Sequence, residues 1–446
     1  MPLIAEFGNL FFIIVAFVAA LSVIVAIHEY GHYIVGRWCG IKAEVFSIGF
    51  GPVLLARNDR HGTRWQVAAL PFGGYVKFLG DANAASGTGD DTLSTLPPEI
   101  RRQTMIGAPL WARTATVAAG PVFNFIFSIA VFGAVMLGQG KVEPPFVIDE
   151  ITPLPVTGLD LRPGDELVAI EGLPFPDITD PETEFDEFTQ ALPVQERLAY
   201  DVRRDGEIVR VAGPHITPNL VSGLVPRSAA FDAGLRQGDV IVGLEGAPIY
   251  VFDELRDVVE SSEGRSLDLK VWREGEILDL TLTPRRSDEP SEDGGFETHW
   301  RIGITGGLPF DLQTTSRGLA DATGDAVVQT WSVISGSVSG LYHMVTGAIS
   351  SCNMSGPIGI AEVSGNMASQ GIDSFIWVIA ALSTAVGLLN LFPIPVLDGG
   401  HLVFYAYEAV AGKPPSERAL KLMMSFGLTL ILSVMLFALF NDIFCP

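Results

Sequence analysis

The sequence predicts a polytopic α-helical membrane protein with four transmembrane helices and an acidic, internally repeated α/β segment outside the bilayer. Of its 446 residues, 48% are hydrophobic and only 18% are charged, yet the formal net charge is −23. Residues 141–311 hold 35 acidic and 15 basic residues, a balance of −20, so charge and hydrophobicity occupy different parts of the chain. Four apolar runs approach or exceed the roughly 20 residues that cross hydrocarbon.

The apolar runs cover residues 10–27, 114–137, 375–397 and 425–440. The first is not typical of a signal peptide, because it lacks a basic leader and a small-residue cleavage site. Nine basic residues lie from Arg37 to Arg113, and Lys413, Arg418 and Lys421 lie between the last two runs. Cytoplasmic loops are enriched in Lys and Arg. We therefore expect both loops to be cytoplasmic, and both termini and the acidic segment to lie on the opposite side.

The loop at residues 40–79 reads as short strands broken by glycine turns. We interpret it as β-hairpins that lie on the inner membrane face or dip into it. The alternative is a small soluble sheet packed against the helices.

The acidic segment contains a duplication. LRPGDELVAIEGLP at 161–174 aligns without gaps on LRQGDVIVGLEGAP at 235–248, and VRRDGEI at 202–208 matches VWREGEI at 271–277. Each copy predicts a Gly-Asp turn, a strand, a glycine turn, a helix and a hairpin. This order resembles circularly permuted PDZ domains, which bind extended peptides at a sheet edge. The alternative is a pair of β-rich spacers without a ligand.

These features divide the chain into nine segments. They are the first transmembrane helix (1–37), a loop with membrane-associated β-hairpins (38–107), the second transmembrane helix (108–140), two PDZ-like domains (141–217 and 218–310), a linker with a membrane-surface helix (311–374), the third transmembrane segment (375–403), a cytoplasmic link (404–419) and the fourth transmembrane helix (420–446).

A metal-binding pattern ends the first apolar run. His28-Glu29-Tyr30-Gly31-His32 is an HExxH motif, and on a helix positions i and i+4 share one face. Both imidazoles can then bind one zinc ion, while Glu29 is placed to take a proton from zinc-bound water. A helical histidine pair on a solvated face is the plain alternative, but ionisable residues at the border of a span favour a functional site.

A catalytic zinc ion takes three protein ligands and keeps one position open for water. The third run ends in NLFPIPVLDGGH at residues 390–401, where two prolines interrupt the helix. The first and third runs cross in the same direction, so His28 and Asp398 fall at the same depth. Asp398 is therefore the candidate third ligand, with His401 as a rival. A helix-ending Asp-Gly turn is the structural alternative.

The motifs together resemble the RseP-type members of the site-2 protease family, which are intramembrane zinc metalloproteases. The resemblance rests on HEYGH, the GFG at 49–51, AAGPVFNF at 118–125, the duplicated segment, SGPIGI at 355–360 and NLFPIPVLDGGH. It implies that His28, His32 and Asp398 bind Zn²⁺ and that Glu29 is the general base. It further implies a substrate-binding set of Asn390, Pro393, Pro395, Gly49, Phe50 and Gly51.

The same resemblance implies a place and a substrate class. The protein would be a multi-pass protein of the bacterial inner membrane, with termini and PDZ-like domains in the periplasm and the active site near the cytoplasmic side. It would cleave transmembrane segments of single-span proteins such as an anti-sigma factor, in a stress response, and also signal-peptide remnants. Peptide C-termini are candidate ligands of the PDZ-like domains.

Other classes fit the sequence less well. The acidic balance argues against a nucleic-acid partner. Cys39, Cys352 and Cys445 show no paired spacing, and we expect small apolar fillers rather than disulfides. A non-catalytic membrane chaperone or receptor would not need Glu29, and a zinc transporter would favour several intramembrane clusters where the sequence shows one.

Overall fold

The computed structural model describes residues 2–80, 97–179, 185–291 and 295–445. The chain forms two compact units, one of Met1–Met136, Leu319–Gly347 and Ser351–Pro446, and one of Leu137–Gly318 and Ala348–Ser350. The helices are α1 (Pro2–Trp38), α2 (Pro98–Arg101), α3 (Leu110–Gln139), α4 (Phe185–Gln190), α5 (Ala229–Asp232), α6 (Phe252–Ser261), α7 (Leu319–Thr346), α8 (Pro357–Gln370), α9 (Ile372–Leu391), α10 (Asp398–Ala411) and α11 (Glu417–Phe444).

The strands are short outside the first hairpin. They are β1 (Ala43–Asn58), β2 (Arg64–Phe78), β3 (Lys141–Val142), β4 (Ile148–Ile151), β5 (Glu166–Ile170), β6 (Leu173–Pro174), β7 (Arg197–Arg204), β8 (Glu207–Pro214), β9 (Gly223–Leu224), β10 (Val240–Leu244), β11 (Ala247–Pro248), β12 (Leu267–Arg273), β13 (Glu276–Leu282), β14 (Arg285–Pro290), β15 (Phe296–Arg301), β16 (Ile304–Thr305), β17 (Phe310–Leu312) and β18 (Thr314–Thr315).

Among the described residues, four helices are long and apolar enough to cross a membrane, as the sequence predicts. They are Phe11–Trp38, Leu110–Gln139, Ile372–Leu391 and Glu417–Phe444. Large apolar side chains such as Phe426 and Leu436 are exposed along α11, a pattern that suits contact with lipid tails. The third run breaks after Leu391, because Pro393 and Pro395 supply no N–H for a continuing helix, and the chain becomes helical again at Asp398.

The β1–β2 hairpin is a sheet of bent strands rather than a flat ribbon. The first half of β1 pairs on one side with the end of β2 (Ile48 with Gly74) and on the other with its beginning (Ile48 with Val67). The second half of β1 then pairs with the beginning of β2 (Asn58 with Arg64). Gly49 and Gly51, both at positive φ, permit the bend in β1. The predicted glycine-broken strands are therefore present within one curled hairpin.

The two sequence repeats fold into two equivalent sheets in the second unit. Their strand orders are β6-β5-β7-β8 and β11-β10-β12-β13, each with a helix before the closing hairpin. Each repeat has its own apolar core, one around Tyr200 and Ile170 and the other around Ile241 and Leu267. The predicted order of turns, strands and helix is confirmed. Phe310 of β17, which follows the second repeat along the chain, packs into the core of the first.

A buried carboxylate fixes the turn of each repeat. Asp165 accepts hydrogen bonds from the Arg162 N–H (2.8 Å) and from Arg204 Nε (2.7 Å). In the second repeat Asp239 and Arg273 form the same arrangement, with an Nε to oxygen distance of 2.7 Å. Burial raises the pKa of Asp165, but the bonds from Arg204 and from the Arg162 N–H outweigh it, so this pKa lies below its usual range.

The prediction that the cysteines form no disulfide is wrong for two of the three. Cys352 and Cys445, 93 residues apart, are disulfide-bonded, because folding brings the end of α11 beside the short helix Ser351–Asn353. Asp442 reinforces this junction by accepting hydrogen bonds from the N–H groups of Gly356 and Ile358 at the start of α8. Cys39 is free and half-buried, which agrees with its expected filler role.

Candidate metal centre

The HExxH motif lies on α1 and turns both imidazoles toward one point. The Nε2 atoms of His28 and His32 are 3.2 Å apart, and the two rings meet edge to face with centroids 4.8 Å apart. Four residues advance a helix by just over one turn, so the two side chains share a face. His28 is only 9% exposed, so this face belongs to the interior and not to a solvated surface.

Asp398 reaches the same point from the first turn of α10. Its Oδ2 lies 3.1 Å from His28 Nε2 and 3.4 Å from His32 Nε2. The Asp-Gly-Gly sequence allows the start of α10 to pack tightly on the preceding loop. A Cβ at Gly400 would lie 2.4 Å from the carbonyl oxygen of Ile394, and one at Gly399 would lie 2.3 Å from that of Phe392. The structure thus brings together the three residues that the sequence singles out as metal ligands.

The spacing of these three atoms fits a tetrahedral zinc ion. Ligand bonds of about 2.0–2.1 Å at tetrahedral angles place neighbouring ligand atoms about 3.3 Å apart. The observed separations are 3.1, 3.2 and 3.4 Å. Among the described residues, the buried Oδ2 of Asp398 has no hydrogen-bond partner, although such an atom is costly to bury alone. Two imidazoles and a carboxylate form a donor set that zinc accepts, so the residues present fit this metal.

A cavity of about 540 Å³ opens beside this cluster. Glu29 lines it together with His28, His32 and Asp398, so a carboxylate and the candidate ligands face the same space. His401 also lines the cavity, but it is not part of the three-residue ligand cluster. A second chain segment, residues 74–76 of β2, lines the cavity on the side of Glu29. A Cβ at Gly74 would lie 3.2 Å from Glu29 Cγ.

The predicted substrate-binding residues take different positions. Asn390 lines the cavity, while Pro393 and Pro395 belong to the loop behind Asp398 and are not among the described lining residues. Gly49, Phe50 and Gly51 form the bend of β1, where the Phe50 ring stacks on Tyr75 with centroids 6.0 Å apart. The structure therefore brings Gly74 to Val76, and not the bend itself, to the cavity. Sequence reasoning did not find these residues, although the Gly-Gly pair at 73–74 could have indicated a close backbone approach.

Helix α3 forms a third wall of the centre, which sequence reasoning also missed. A Cβ at Gly120 would lie only 2.4 Å from His32 Nε2 and 2.8 Å from His28 Cε1. Only a glycine leaves room for both rings against this helix. Gly120 belongs to the AAGPVFNF segment, which contributed to the family resemblance, but the sequence alone did not indicate what Gly120 does in the structure.

An ion pair ties α3 to α10 at the border of the cavity. Arg113 donates two hydrogen bonds to the Glu408 carboxylate, at 3.0 and 2.6 Å, and its guanidinium lies 5.1 Å from the Tyr405 ring centroid. Both side chains of the pair are less than a fifth exposed. Bidentate Arg-carboxylate pairs are geometrically specific. The pair therefore fixes the helix that carries Asp398 relative to the helix that lies against the histidines.

Comparison with known proteins places the chain in a class of enzyme. The profile of peptidase family M50 matches residues 16–434. The chain belongs to this family, that of the site-2 zinc metalloproteases, and its cofactor is zinc.

Relatives are similar over nearly the full length. The regulator of sigma-E protease RseP of Salmonella typhimurium (strain 14028s / SGSC 2262) is 36% identical over 452 aligned positions, covering 96% of this chain and 97% of the relative. A protein of Rhizobium meliloti (strain 1021) named as a zinc metalloprotease is 35% identical over 436 positions, covering 98% and 97%. The four apolar helices and these relatives fit an inner-membrane protein.

Proposed function

We propose that this metalloprotease cleaves transmembrane segments of single-span membrane proteins, with His28, His32 and Asp398 as zinc ligands and Glu29 as general base. The observation that carries the proposal is the tetrahedral spacing of three ligand atoms beside a carboxylate in one cavity. A bound zinc ion supplies a water of lowered pKa and polarises the scissile carbonyl. Glu29, which faces the same cavity, would take a proton from the attacking water and deliver it to the leaving amine.

The substrate must be extended before it can react, because a helix holds its carbonyls in internal hydrogen bonds. In the described residues, segment 74–78 pairs with β1 on one side, and residues 74–76 line the cavity beside Glu29. A substrate strand added at this segment would present its carbonyl to the cavity. The bend at Gly49, Phe50 and Gly51 shapes this sheet, and Asn390, Pro393 and Pro395 seat the substrate from the opposite side.

The test of the catalytic roles is cleavage of a reporter transmembrane peptide by purified protein, with metal analysis of each variant. Glu29→Gln should abolish cleavage and leave zinc content near wild type. Asp398→Asn should lower both. His401→Ala is the matched control in the same cavity and should keep its zinc. A fully loaded Asp398→Asn beside a metal-free His401→Ala would show that the rival histidine is the third ligand.

The Glu29→Gln result also separates the protease from a membrane chaperone or receptor. A receptor that only binds unfolded tails would keep its cellular function without this carboxylate. The relative named as a regulator of sigma-E protease supports an anti-sigma factor as the substrate class. Signal-peptide remnants are a second substrate class of the same chemistry, because they are also single apolar helices.

Orientation is also part of the proposal. The basic residues lie in the loop between the first and second spans and in the loop between the third and fourth spans. Their distribution favours a cytoplasmic position for both loops, with the repeats and both termini in the periplasm. The Cys352–Cys445 disulfide beside the end of α11 supports this, because disulfides persist in oxidising compartments. The active site then lies near the cytoplasmic side.

The two repeats are proposed to be PDZ-like domains that act on substrate selection. A filter would exclude substrates with a large outer domain, whereas a recruiter would bind newly exposed peptide C-termini. Removal of residues 141–311 should permit cleavage of untrimmed substrate in the first case and reduce cleavage of trimmed substrate in the second. Equal rates for both substrates, with and without the repeats, would leave them as spacers.

A further inference from the structure

Helix α3 presents one face to the rear of both candidate zinc ligands. His32 Nδ1 lies 2.9 Å from the carbonyl oxygen of Thr116, and His28 Nδ1 lies 3.3 Å from the side-chain amide of Asn124. Thr116, Gly120 and Asn124 are spaced by four residues and therefore share this face. Because Gly120 has no side chain, the two rings fit against the helix. The Thr116 carbonyl and the Asn124 amide then lie within reach of the Nδ1 atoms of His32 and His28.

The Thr116 carbonyl determines which ring nitrogen of His32 carries the hydrogen. A carbonyl oxygen can only accept, so Nδ1 must carry the hydrogen and Nε2 keeps its lone pair for a metal. The Asn124 amide has one accepting end and one donating end, which share nearly the same shape. With the donating Nδ2 toward His28, the hydrogen of that ring would sit on Nε2 and block ligation. Only Oδ1 facing His28 is compatible with a zinc bond through Nε2.

The present orientation of the amide leaves Oδ1 of Asn124 buried without a hydrogen-bond partner among the described residues. The residue itself is held in place. Its backbone carbonyl accepts hydrogen bonds from Ser128 Oγ (2.9 Å) and Ser383 Oγ (3.2 Å), the latter from α9. A Cβ at Gly387 of α9 would lie 3.2 Å from Asn124 Cβ, so the two helices are in close contact here. The backbone and Cβ of Asn124 are therefore packed in a position from which its amide reaches His28.

We propose that Asn124 is a positioning residue, whose Oδ1 accepts the Nδ1 hydrogen of His28 and so holds Nε2 free for the metal. This inference rests on the proposed zinc site and adds a residue that does not touch the ion. Partners of this kind fix the tautomer and orientation of metal-binding histidines, and their loss typically costs about 10–100-fold in metal affinity.

The test is a titration of the metal-free full-length protein with Co²⁺, followed by the visible absorption of the bound ion. Asn124→Leu keeps the approximate volume but cannot accept a hydrogen bond, and should bind Co²⁺ about 10–100-fold more weakly. Asn124→Asp keeps an acceptor at the same place and should bind at least as tightly as wild type. Thr384→Val is the matched control, because it removes a fully buried hydroxyl of α9 whose hydrogen bond in the described residues goes to the Ala380 carbonyl of the same helix.

The outcomes separate the inference from the proposed function. Wild-type protein that binds no Co²⁺, or that binds equally well after His28→Ala, would overturn the proposed zinc site. Wild-type binding that Asn124→Leu leaves unchanged, or that Asn124→Asp weakens as much, would overturn the role of Asn124 alone. An equal loss in Thr384→Val would show a general packing effect. If Asn124→Leu does not fold, Asn124→Ala carries the same expectation with less volume.

Discussion

Gly120 offers a sharp test of the α3 wall, because the structure predicts the effect of a single methyl group. The substitution Gly120→Ala would place a Cβ 2.4 Å from His32 Nε2, 2.6 Å from His32 Cε1 and 2.8 Å from His28 Cε1. Non-bonded heavy atoms are comfortable at about 3.5–4.0 Å. At least one ring must therefore move by about 1 Å, whereas zinc bonds tolerate about 0.2 Å.

The expected loss follows from that displacement. A misplacement of about 1 Å in a catalytic arrangement costs about 100-fold in rate, so we expect Gly120→Ala to retain at most about a hundredth of wild-type cleavage. Zinc occupancy after dialysis should fall with it. Helix formation itself should not suffer, because alanine favours a helix by about 1 kcal/mol over glycine.

Gly133→Ala is the matched control on the same helix. A Cβ at Gly133 would meet only ordinary contacts, at 3.7 Å from Ala326 Cβ and from the Ala322 carbonyl oxygen. This variant should keep zinc content and cleavage near wild type. Both variants would be compared by metal analysis and by cleavage of the reporter peptide. A Gly120→Ala protein with full zinc content and wild-type turnover would refute the assigned contact between α3 and the histidines.

Three further results are expected. A double-mutant cycle on Arg113 and Glu408 should show a coupling free energy of about 0.5–3 kcal/mol in thermal unfolding, whereas two distant charges without a shared partner should show almost none. Maleimide should label one thiol of the unfolded protein before reduction and three after it, and equal numbers would disprove the Cys352–Cys445 bond. Asp165→Asn should speed hydrogen exchange in the first repeat at neutral pH. Because the folded-state pKa of Asp165 is lowered, its stabilisation is present above about pH 4 and lost on acidification, so the variant should match wild type in strong acid.

Much of the metal centre could be predicted because its signals are local. Histidines four residues apart must share a helix face, and the direction of the spans puts Asp398 at the depth of His28. The supporting groups of α3 could not be predicted in this way. Thr116 acts through its backbone carbonyl, which any residue would supply, and the role of Gly120 appears only once α3 is known to pack on α1.

The errors have the same physical origin. Cys352 and Cys445 are separated by 93 residues, and only the tertiary contact between α11 and the start of α8 pairs them. The substrate-binding role of Gly49 to Gly51 stays a prediction, and the part of the hairpin that lines the cavity, Gly74 to Val76, depends on how β2 folds back along β1. The order of turns, strands and helix in each repeat was predictable, because the duplicated motifs carry it locally. The Asp165–Arg204 pair, 39 residues apart, and the packing of Phe310 into the first repeat depend on tertiary contacts and were not predicted.

The distance along the chain between the candidate ligands has a consequence for biosynthesis. His32 and Asp398 are 398 − 32 = 366 residues apart, and at about 5–20 residues per second the ribosome needs roughly 20 to 70 s to pass from one to the other. During that interval the nascent chain holds the two histidines and the candidate general base but lacks the carboxylate of α10. We therefore expect the chain to be inert while its earlier apolar segments enter the bilayer, and to become able to cut only after Asp398 has been added.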